Sequence, residues 1–374
     1  IDRVHFYVQD AAKWRDWFVC QLGFQALRGN TNNHTRTEIV KNGEVCFFLD
    51  SPLTSASPVA DFLDLHPPGV ADVAFLVEDF ESVMAKAISK GVKVLQPIQQ
   101  QPGQPGLKWA KIAAWGSLSH TLIEAGEQAF PTSPAHYPLA LPTTNSTIAF
   151  SGIDHIVLNV DAGELEQAVV WYENILGFRR QQRFNIQTDR SGLHSQVLLH
   201  PSNLVQLPIN EPASANSQIQ EFLDLNKGPG IQHIALLSPN IVQAIAHLRT
   251  SGLPFIEVPP SYYNELQLRQ LFPLSSVELQ EIVQQQILLD WQVDSSPTSA
   301  QALPLLLQTF TQPIFEQPTF FFELIERRVC YIDGQQKQAQ GFGEGNFRAL
   351  FEAIEREQIK RGTLGTRSEG SFEV

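Results

Sequence analysis

One pattern of apolar and polar positions occurs twice along the chain, at residues 5–24 and at residues 155–178. Each copy begins with a histidine in a β-rich run, continues with apolar residues at helical spacing, and ends on Leu-Gly-Phe. In the second copy, Leu165, Ala168, Tyr172 and Ile175 form the helical stripe, and Gly177 stands where a helix C-cap is expected. The pattern predicts a strand followed by an amphipathic helix in each copy.

A second repeated pattern links residues 70–91 to residues 230–252. In both stretches, a short apolar strand precedes a helix that ends at a glycine, Gly91 or Gly252. Each half of the chain thus holds two strand–helix–strands modules. We predict an α+β fold in which tandem βαβββ modules form two open β-barrel-like domains, a shape whose concave face can hold a small ligand.

The stretch between the two halves, residues 132–151, is rich in Pro, Ser and Thr, as linkers often are. We place the domain boundary near Asn145. The N-terminal domain then covers residues 1–145, and the C-terminal domain covers residues 146–374.

A helix near the C-terminus is predicted to act as a mobile lid. Gly341, Gly343 and Gly345 give a flexible hinge in front of it, and Asn346 can cap its N-terminus. An apolar stripe runs along this helix and consists of Phe347, Leu350, Phe351 and Ile354. A helix that docks permanently on the protein is the alternative that the sequence leaves open.

The composition argues against several kinds of partner. Lys and Arg number 26 against 39 Asp and Glu, so the formal net charge is −13, and no run of basic residues occurs. Such a chain repels nucleic acid and anionic membranes, and no stretch has the ~20 continuous apolar residues of a membrane span. Three scattered cysteines and the lack of a signal peptide predict a cytoplasmic location. We also expect a homo-oligomer, with a dimer favoured and a tetramer possible.

Comparison of the two halves selects three candidate metal ligands. Aligned on the repeat, the N-terminal half offers His, Val and Thr where the C-terminal half offers His, His and Glu. The aligned pairs are His5 with His155, Val73 with His233, and Thr121 with Glu323. Two imidazoles plus one carboxylate form the facial triad of non-haem Fe(II) oxygenases, which leaves three coordination positions open.

The strand that carries Glu323 supports a metal site. In the run FFFELIE, alternation puts Glu323 on one face and Glu326 on the other. An acidic side chain that faces inward among apolar residues is costly without a cation, although a partner arginine would also serve. Hydrolytic zinc with the same ligands also stays open, but no HExxH helix occurs.

The other histidines carry no ligand pattern. We interpret His5 as a remnant of the duplication, and the remaining ones as structural or exposed residues in loops or helices. These are His34, His66, His120, His136, His194, His200 and His247.

Over essentially its whole length, the chain resembles the 4-hydroxyphenylpyruvate dioxygenase family of vicinal-oxygen-chelate enzymes. The stretches that carry the resemblance are HFYVQDAAKWRDWFVCQLGF, GIDHIVLNV, LPINEP, SQIQEFL, GIQHIAL, PPSYY, FELIER and GFGEGNFRALFEAIEREQ. The resemblance implies one Fe(II) per chain, held by His155, His233 and Glu323. It also implies that 4-hydroxyphenylpyruvate and O2 give homogentisate and CO2, by oxidative decarboxylation, ring hydroxylation and side-chain migration.

The resemblance also implies the substrate pocket, and within it a catalytic role for Gln308 and Phe342. The pocket residues are Ser195, Pro208, Asn210, Gln218, Gln308, Phe310, Phe321, Phe342 and Phe347. Gln232 matches the family too, but strand alternation next to His233 points it away from the site. The phenylalanines could stack on an aromatic ring, and the neutral polar side chains suit a phenol hydroxyl.

Three alternatives stay open. Hydroxymandelate synthase resembles the same family in fold, iron site and substrate, although Pro208 and Phe321 fit the homogentisate-forming type. An extradiol ring-cleaving dioxygenase shares the ligand set. A metal-free binding protein of the same fold is the alternative that is not an enzyme. The homogentisate could serve tyrosine breakdown or the synthesis of tocopherol and quinones.

Overall fold

A computed structural model describes residues 1–100, 108–124, 148–268, 274–291, 303–332 and 335–362 of the chain. The predicted domain boundary near Asn145 lies outside these residues. None of the helices within the described ranges combines the length and the hydropathy that a membrane-spanning helix requires.

The first half of the chain forms an eight-stranded mixed sheet with the strand order β2-β3-β4-β1-β5-β8-β7-β6. Its elements are β1 (Arg3–Tyr7), α1 (Ala11–Leu22), β2 (Gln25–Thr31), β3 (Thr35–Asn42), β4 (Val45–Pro52), α2 (Pro58–Leu65), β5 (Gly69–Val77), α3 (Phe80–Ser89), β6 (Val94–Gln100), β7 (Lys108–Ala113) and β8 (Ser119–Glu124).

The second half repeats this plan in a sheet with the order β10-β11-β12-β9-β13-β16-β15-β14. Its elements are β9 (Gly152–Asn159), α4 (Leu165–Leu176), β10 (Arg179–Gln187), β11 (Gly192–Leu199), β12 (Gln206–Pro212), α5 (Gln218–Asn226), β13 (Gly230–Leu237), α6 (Ile241–Thr250), α7 (Pro260–Gln267), α8 (Ser276–Gln285), β14 (Leu288–Trp291), β15 (Leu305–Phe310), β16 (Phe321–Arg327), β17 (Val329–Ile332), β18 (Gln335–Gln338) and α9 (Glu344–Arg361). Strands β17 and β18 pair as a separate hairpin.

The predicted α+β fold of tandem βαβββ modules is confirmed. Each half holds two units in which one strand and one helix precede three strands, and α7 and α8 are inserted into the last unit. Helix α4 shows why the pattern was informative. Its predicted apolar stripe is buried, and Gly177 ends the helix with φ at 74°, a left-handed conformation that glycine adopts without strain.

An aromatic cluster joins the two halves into one hydrophobic core. Phe6, Phe18 and Phe47 come from the first half, whereas Phe320 and Phe322 come from the second. The ring of Phe6 lies 5.1 Å from that of Phe320, and the ring of Phe322 lies 5.9 Å from Phe18 and 5.8 Å from Phe47. All five side chains are fully buried, so each half covers apolar surface of the other.

Two histidines make polar contacts between the halves. His120 lies on strand β8 instead of in a loop or helix, and its ring bonds the carbonyl of Val73 and the hydroxyl of Tyr172, both at 3.0 Å. Nδ1 of His66 lies 2.7 Å from the carbonyl oxygen of Asn226. Both histidines are buried and partnered, as the structural interpretation expects.

The strand pairing corrects the alignment of the two halves. Strands β5 and β13 begin at Gly69 and Gly230, and each pairs antiparallel with the first strand of its half. Aligned on these glycines, His233 corresponds to Asp72, so the sequence-based match with Val73 is wrong.

The match between His5 and His155 is also wrong. In the second half His155 lies opposite Ala235, and the residue in the same place of the first half, opposite Ala74, is Arg3. His5 lies two residues further along its strand. Because an offset of two keeps a side chain on the same face of a strand, the alternation pattern did not reveal the error.

The third match, between Thr121 and Glu323, is confirmed. Each of the two residues directly precedes a residue pair that occupies the same place in its ladder, which is β5–β8 for Thr121 and β13–β16 for Glu323. The first half therefore presents Arg3, Asp72 and Thr121 where the second presents the candidate ligands. A guanidinium in place of an imidazole argues against a second metal centre of the same kind.

Candidate metal centre and adjoining cavity

The three predicted ligands come together on neighbouring strands of the second sheet. His155 lies on β9, His233 on β13 and Glu323 on β16, and all three side chains are buried. Oε2 of Glu323 is 3.2 Å from Nε2 of His155 and 3.6 Å from Nε2 of His233. One ligand atom from each residue fits within 4.8 Å of the others, so a single metal ion can bind all three.

The chemistry of these donors fits a divalent transition metal. Two neutral imidazoles and one carboxylate suit Fe(II), and Zn(II) accepts the same set. Among the described residues, no other group of three or more His, Cys, Asp and Glu side chains comes close enough to hold an ion.

The pKa values of the two imidazoles are shifted in opposite directions. Burial lowers the pKa of His155, but the carboxylates of Glu323 and Asp154 outweigh burial and raise this pKa to about 9. The pKa of His233 is lowered well below its ordinary value by burial and by the neighbouring His155. The carboxylate of Glu323 thus favours a positive charge within the cluster, which a metal ion supplies.

Gln308, on strand β15, supports the carboxylate of Glu323. Its Nε2 donates to Oε1 of Glu323 at 3.0 Å and to the carbonyl of Phe342 at 2.9 Å, and its Oε1 accepts from Nδ2 of Asn346 at 3.0 Å. Every hydrogen-bonding group of this buried amide is therefore used, which fixes its orientation between the metal centre and the start of α9.

A cavity opens directly from the metal centre. Eight of the nine predicted pocket residues line it, namely Ser195, Pro208, Asn210, Gln218, Gln308, Phe310, Phe321 and Phe342. The side chain of the ninth, Phe347, lies outside the described part of the structure. That these residues contact a substrate stays a prediction.

Two of the lining phenylalanines pack on the candidate ligands themselves. The ring of Phe321 stacks on His233 with centroids 4.7 Å apart and planes inclined by 19°. The ring of Phe342 meets His155 edge to face at 5.2 Å. One face of Phe321 is therefore occupied by the imidazole, so these rings hold the ligands in place as well as lining the cavity.

Gln232 lines the cavity together with His233, contrary to the sequence-based expectation. The register of the β13–β9 ladder shifts between Ile231 and His233, and such a bulge lets two consecutive side chains face the same side. Oε1 of Gln232 lies 3.3 Å from Nδ1 of His233. Strand alternation alone could not predict this contact.

The apolar wall of the cavity includes residues that sequence reasoning missed. These are Val157, Phe184, Ile186, Leu193, Val197 and Ile219. The signal was present, since Leu193 and Val197 lie two residues on either side of Ser195, and Val157 lies two residues after His155. Phe351 and Ile354 of the predicted lid stripe also face the cavity.

Helix α9 begins differently from the prediction. Gly343 is its N-cap with φ at 75°, and Asn346 does not cap it but accepts from the hydroxyl of Tyr262 at 2.7 Å and donates to Gln308. A Cβ atom on Gly343 would lie 2.0 Å from Oε1 of Gln308. Glycine is thus required both by the backbone conformation and by the close approach of this amide.

Comparison with known proteins agrees with this architecture. The family model of the glyoxalase/bleomycin resistance protein/dioxygenase superfamily matches residues 1–107 and 152–269. The 4-hydroxyphenylpyruvate dioxygenase of Yarrowia lipolytica is 38% identical, over 97% of this chain and 93% of that protein. The enzyme of the same name from Caenorhabditis briggsae is 35% identical, over the same shares.

A solved structure shows the same fold. A triple mutant of 4-hydroxymandelate synthase from Streptomyces coelicolor superimposes with a TM-score of 0.79 at 24% identity, over 96% of this chain and 98% of that chain. The repeated modules, the buried ligand cluster and the full-length relatives agree with one another. The chain therefore belongs to the glyoxalase/bleomycin resistance protein/dioxygenase superfamily and, within it, to the family of 4-hydroxyphenylpyruvate dioxygenases.

Proposed function

We propose that the protein is an Fe(II)-dependent dioxygenase that converts 4-hydroxyphenylpyruvate and O2 into homogentisate and CO2. The observation that carries the proposal is the convergence of His155, His233 and Glu323 in the wall of a cavity that is otherwise mainly apolar. Relatives that bear this enzyme's name cover almost the whole chain.

The three ligands leave room for the substrate on the same ion. When bound there, Fe(II) supplies a Lewis acid for a 2-oxo acid and the electrons that activate O2. No Lys or Arg stands among the described residues that line the cavity. The negative end of the substrate would therefore be bound by the metal ion and not by a basic side chain.

Polar side chains elsewhere in the cavity suit the phenol end of the substrate. Ser195 and Asn210 lie opposite each other on β11 and β12, and both are buried. Oε1 of Gln218 is buried without a hydrogen-bond partner in the described structure. An unpaired buried acceptor costs about 1–3 kcal/mol, so a phenol hydroxyl that donates to it would be favoured over an unsubstituted ring.

The aromatic and aliphatic walls would exclude water from the reaction. Phe310 and Phe342 line the cavity, and Phe351 contributes to its lining from α9. A dry site protects a reactive oxidant from side reactions and strengthens the electrostatic contacts of the ligands. This is the role that we assign to α9 as a lid.

The decisive experiment is anaerobic reconstitution of the protein with Fe(II) and 4-hydroxyphenylpyruvate, followed by exposure to air and chromatography of the products. We expect homogentisate with one CO2 released per O2 consumed. If hydroxymandelate is the product, the assignment of the metal centre is retained, but the assignment of the cavity residues to homogentisate formation is refuted. Lack of any iron-dependent O2 uptake would refute the enzyme and favour a binding protein.

Two glutamates of β16 provide a matched pair of variants. Glu323→Gln removes the charge of the candidate ligand, and we expect at least a 100-fold loss of O2 uptake. Glu326→Gln changes the neighbour that faces the other way and accepts from the backbone N–H of Ile241 at 2.7 Å. This control should retain activity within about twofold, since a Gln oxygen can still accept that bond.

The domain division at residues 1–145 and 146–374 and the homo-oligomer, with a dimer favoured, belong to the same proposal. Light scattering coupled to size-exclusion chromatography measures the oligomeric state directly.

A further inference from the structure

Asp154 supports the candidate ligand His155 from outside the metal centre. Its Oδ1 lies 2.9 Å from Nδ1 of His155, whose Nε2 faces Glu323. A carboxylate at Nδ1 keeps the proton on that nitrogen and leaves Nε2 free to bind a metal ion. At His233, the group that lies near Nδ1 is the neutral amide oxygen of Gln232, at 3.3 Å.

Arg327, at the end of β16, holds this carboxylate with two hydrogen bonds. Its Nε donates to Oδ2 of Asp154 at 2.6 Å, and its Nη2 donates to Oδ1 at 2.7 Å. The side chains are only 8% and 5% exposed, so the pair is shielded from water. A planar, two-point contact of this kind fixes the orientation of the carboxylate and favours its ionised form.

The remaining arm of the same guanidinium reaches the segment in front of the lid helix. Nη1 of Arg327 donates to the carbonyl of Ala339 at 3.2 Å and to that of Gly341 at 2.9 Å. The next residue is Phe342, whose ring packs edge to face on His155. One side chain is therefore bonded both to the support of a metal ligand and to the backbone that leads into α9.

We propose that Asp154 and Arg327 are positioning residues that orient His155 for metal binding and couple this orientation to residues 339–342 at the base of the lid. The proposal deepens the proposed function, because it concerns the same metal centre. Its first readout, metal affinity, does not depend on which reaction the enzyme catalyses.

The test compares Asp154→Asn and Arg327→Lys with the wild-type protein, and with Arg328→Lys as a matched control. Arg328 is the next residue along the chain but bonds Glu326 instead. Lysine keeps the charge of Arg327 and loses the planar fork, so it cannot hold the carboxylate and both carbonyls together. The affinity for Co(II) alone, a redox-stable probe, is measured by calorimetry on the metal-free full-length chain.

We expect Asp154→Asn and Arg327→Lys to weaken Co(II) binding roughly 10- to 100-fold, and Arg328→Lys to leave it within twofold. Amides of residues 339–343 should exchange hydrogen faster in Arg327→Lys, because their carbonyl anchor is weakened. If Co(II) affinity and exchange match the wild type in a folded Arg327→Lys variant, the proposal is overturned, even if Asp154→Asn fails to fold. If affinity falls as expected but the product is not homogentisate, the coupling stands and only the proposed reaction fails.

Discussion

The amide nitrogen of Gln308 donates to Oε1 of Glu323 at 3.0 Å, so a neutral side chain supports the carboxylate of the candidate metal centre. The same amide bonds the carbonyl of Phe342 and the side chain of Asn346 at the beginning of α9. Loss of Gln308 should therefore disturb both the metal ligand and the lid.

We predict that Gln308→Leu lowers kcat/KM for iron-dependent O2 uptake about 10- to 100-fold, the usual range when a hydrogen-bond partner of a metal ligand is removed. Steady-state oxygen-electrode measurements test this. Gln312→Leu is the control, because Gln312 is half-buried but does not line the cavity. Equal activity of the two variants would contradict the role assigned to Gln308.

A buried glutamate fastens α9 to the turn between β10 and β11. Oε1 of Glu355 accepts from the hydroxyls of Thr188 at 2.6 Å and Ser191 at 2.7 Å. We predict that Glu355→Ala leaves both hydroxyls without this acceptor, lowers the free energy of unfolding by about 1–3 kcal/mol and raises KM through a looser lid. Urea denaturation and steady-state kinetics measure the two effects.

The comparison for Glu355 is Arg356→Ala, since Arg356 is exposed on the same helix. That variant should stay within about 0.5 kcal/mol of the wild type. A KM that is the same in both variants would show that the glutamate does not hold the lid.

His120 should make stability depend on pH. Burial lowers its pKa to about 4, with Asp72 and the carbonyl of Val73 acting in the opposite direction. Below pH 6.5, His120 is protonated in the unfolded chain but stays neutral in the folded chain down to about pH 4. The free energy of unfolding therefore falls between pH 6.5 and pH 4. From these values, His120 contributes a loss of about 2 kcal/mol between pH 7 and pH 5.

The measurement is urea denaturation of the wild type and of His120→Gln at pH 7 and pH 5. Glutamine does not titrate, and its amide can both donate and accept as the neutral imidazole does. We expect the variant to lose about 2 kcal/mol less than the wild type over this interval, whatever its stability at pH 7. Equal losses would mean that His120 is protonated in the folded protein.

The aromatic cluster between the halves predicts a large effect of one core substitution. Phe322 is fully buried against Phe18 and Phe47. Phe322→Ala should cost about 3–5 kcal/mol in the free energy of unfolding, whereas Phe322→Leu, which leaves a smaller cavity, should cost less than half of that. A similar small cost for both would indicate that the cluster repacks freely.

The fold could be predicted because both copies of the repeat show the same local pattern of apolar residues and helix-ending glycines. Helix α4 follows from an apolar stripe that ends at Gly177, and its equivalent in the first half follows in the same way. The three candidate ligands could also be predicted, because His155 begins the repeated pattern and only the C-terminal half offers a complete set of His, His and Glu.

What remained hidden depends on contacts between distant strands. Local alternation does not report the bulge that turns Gln232 towards the cavity, nor the two-residue offset of His5. Asp154 is adjacent to His155 in the sequence, but its partner Arg327 lies on another strand, and only the folded sheet brings them together. Sequence patterns define faces of elements, whereas hydrogen-bond partners depend on register.

The aromatic cluster affects how the protein can fold while it is being synthesised. The ribosome delivers Phe6, Phe18 and Phe47 long before Phe320 and Phe322, which cover them. During most of translation, the nascent first half therefore carries uncovered apolar rings, a surface that favours aggregation and chaperone binding. The sheet of the first half can complete its native packing only when nearly the whole chain has emerged.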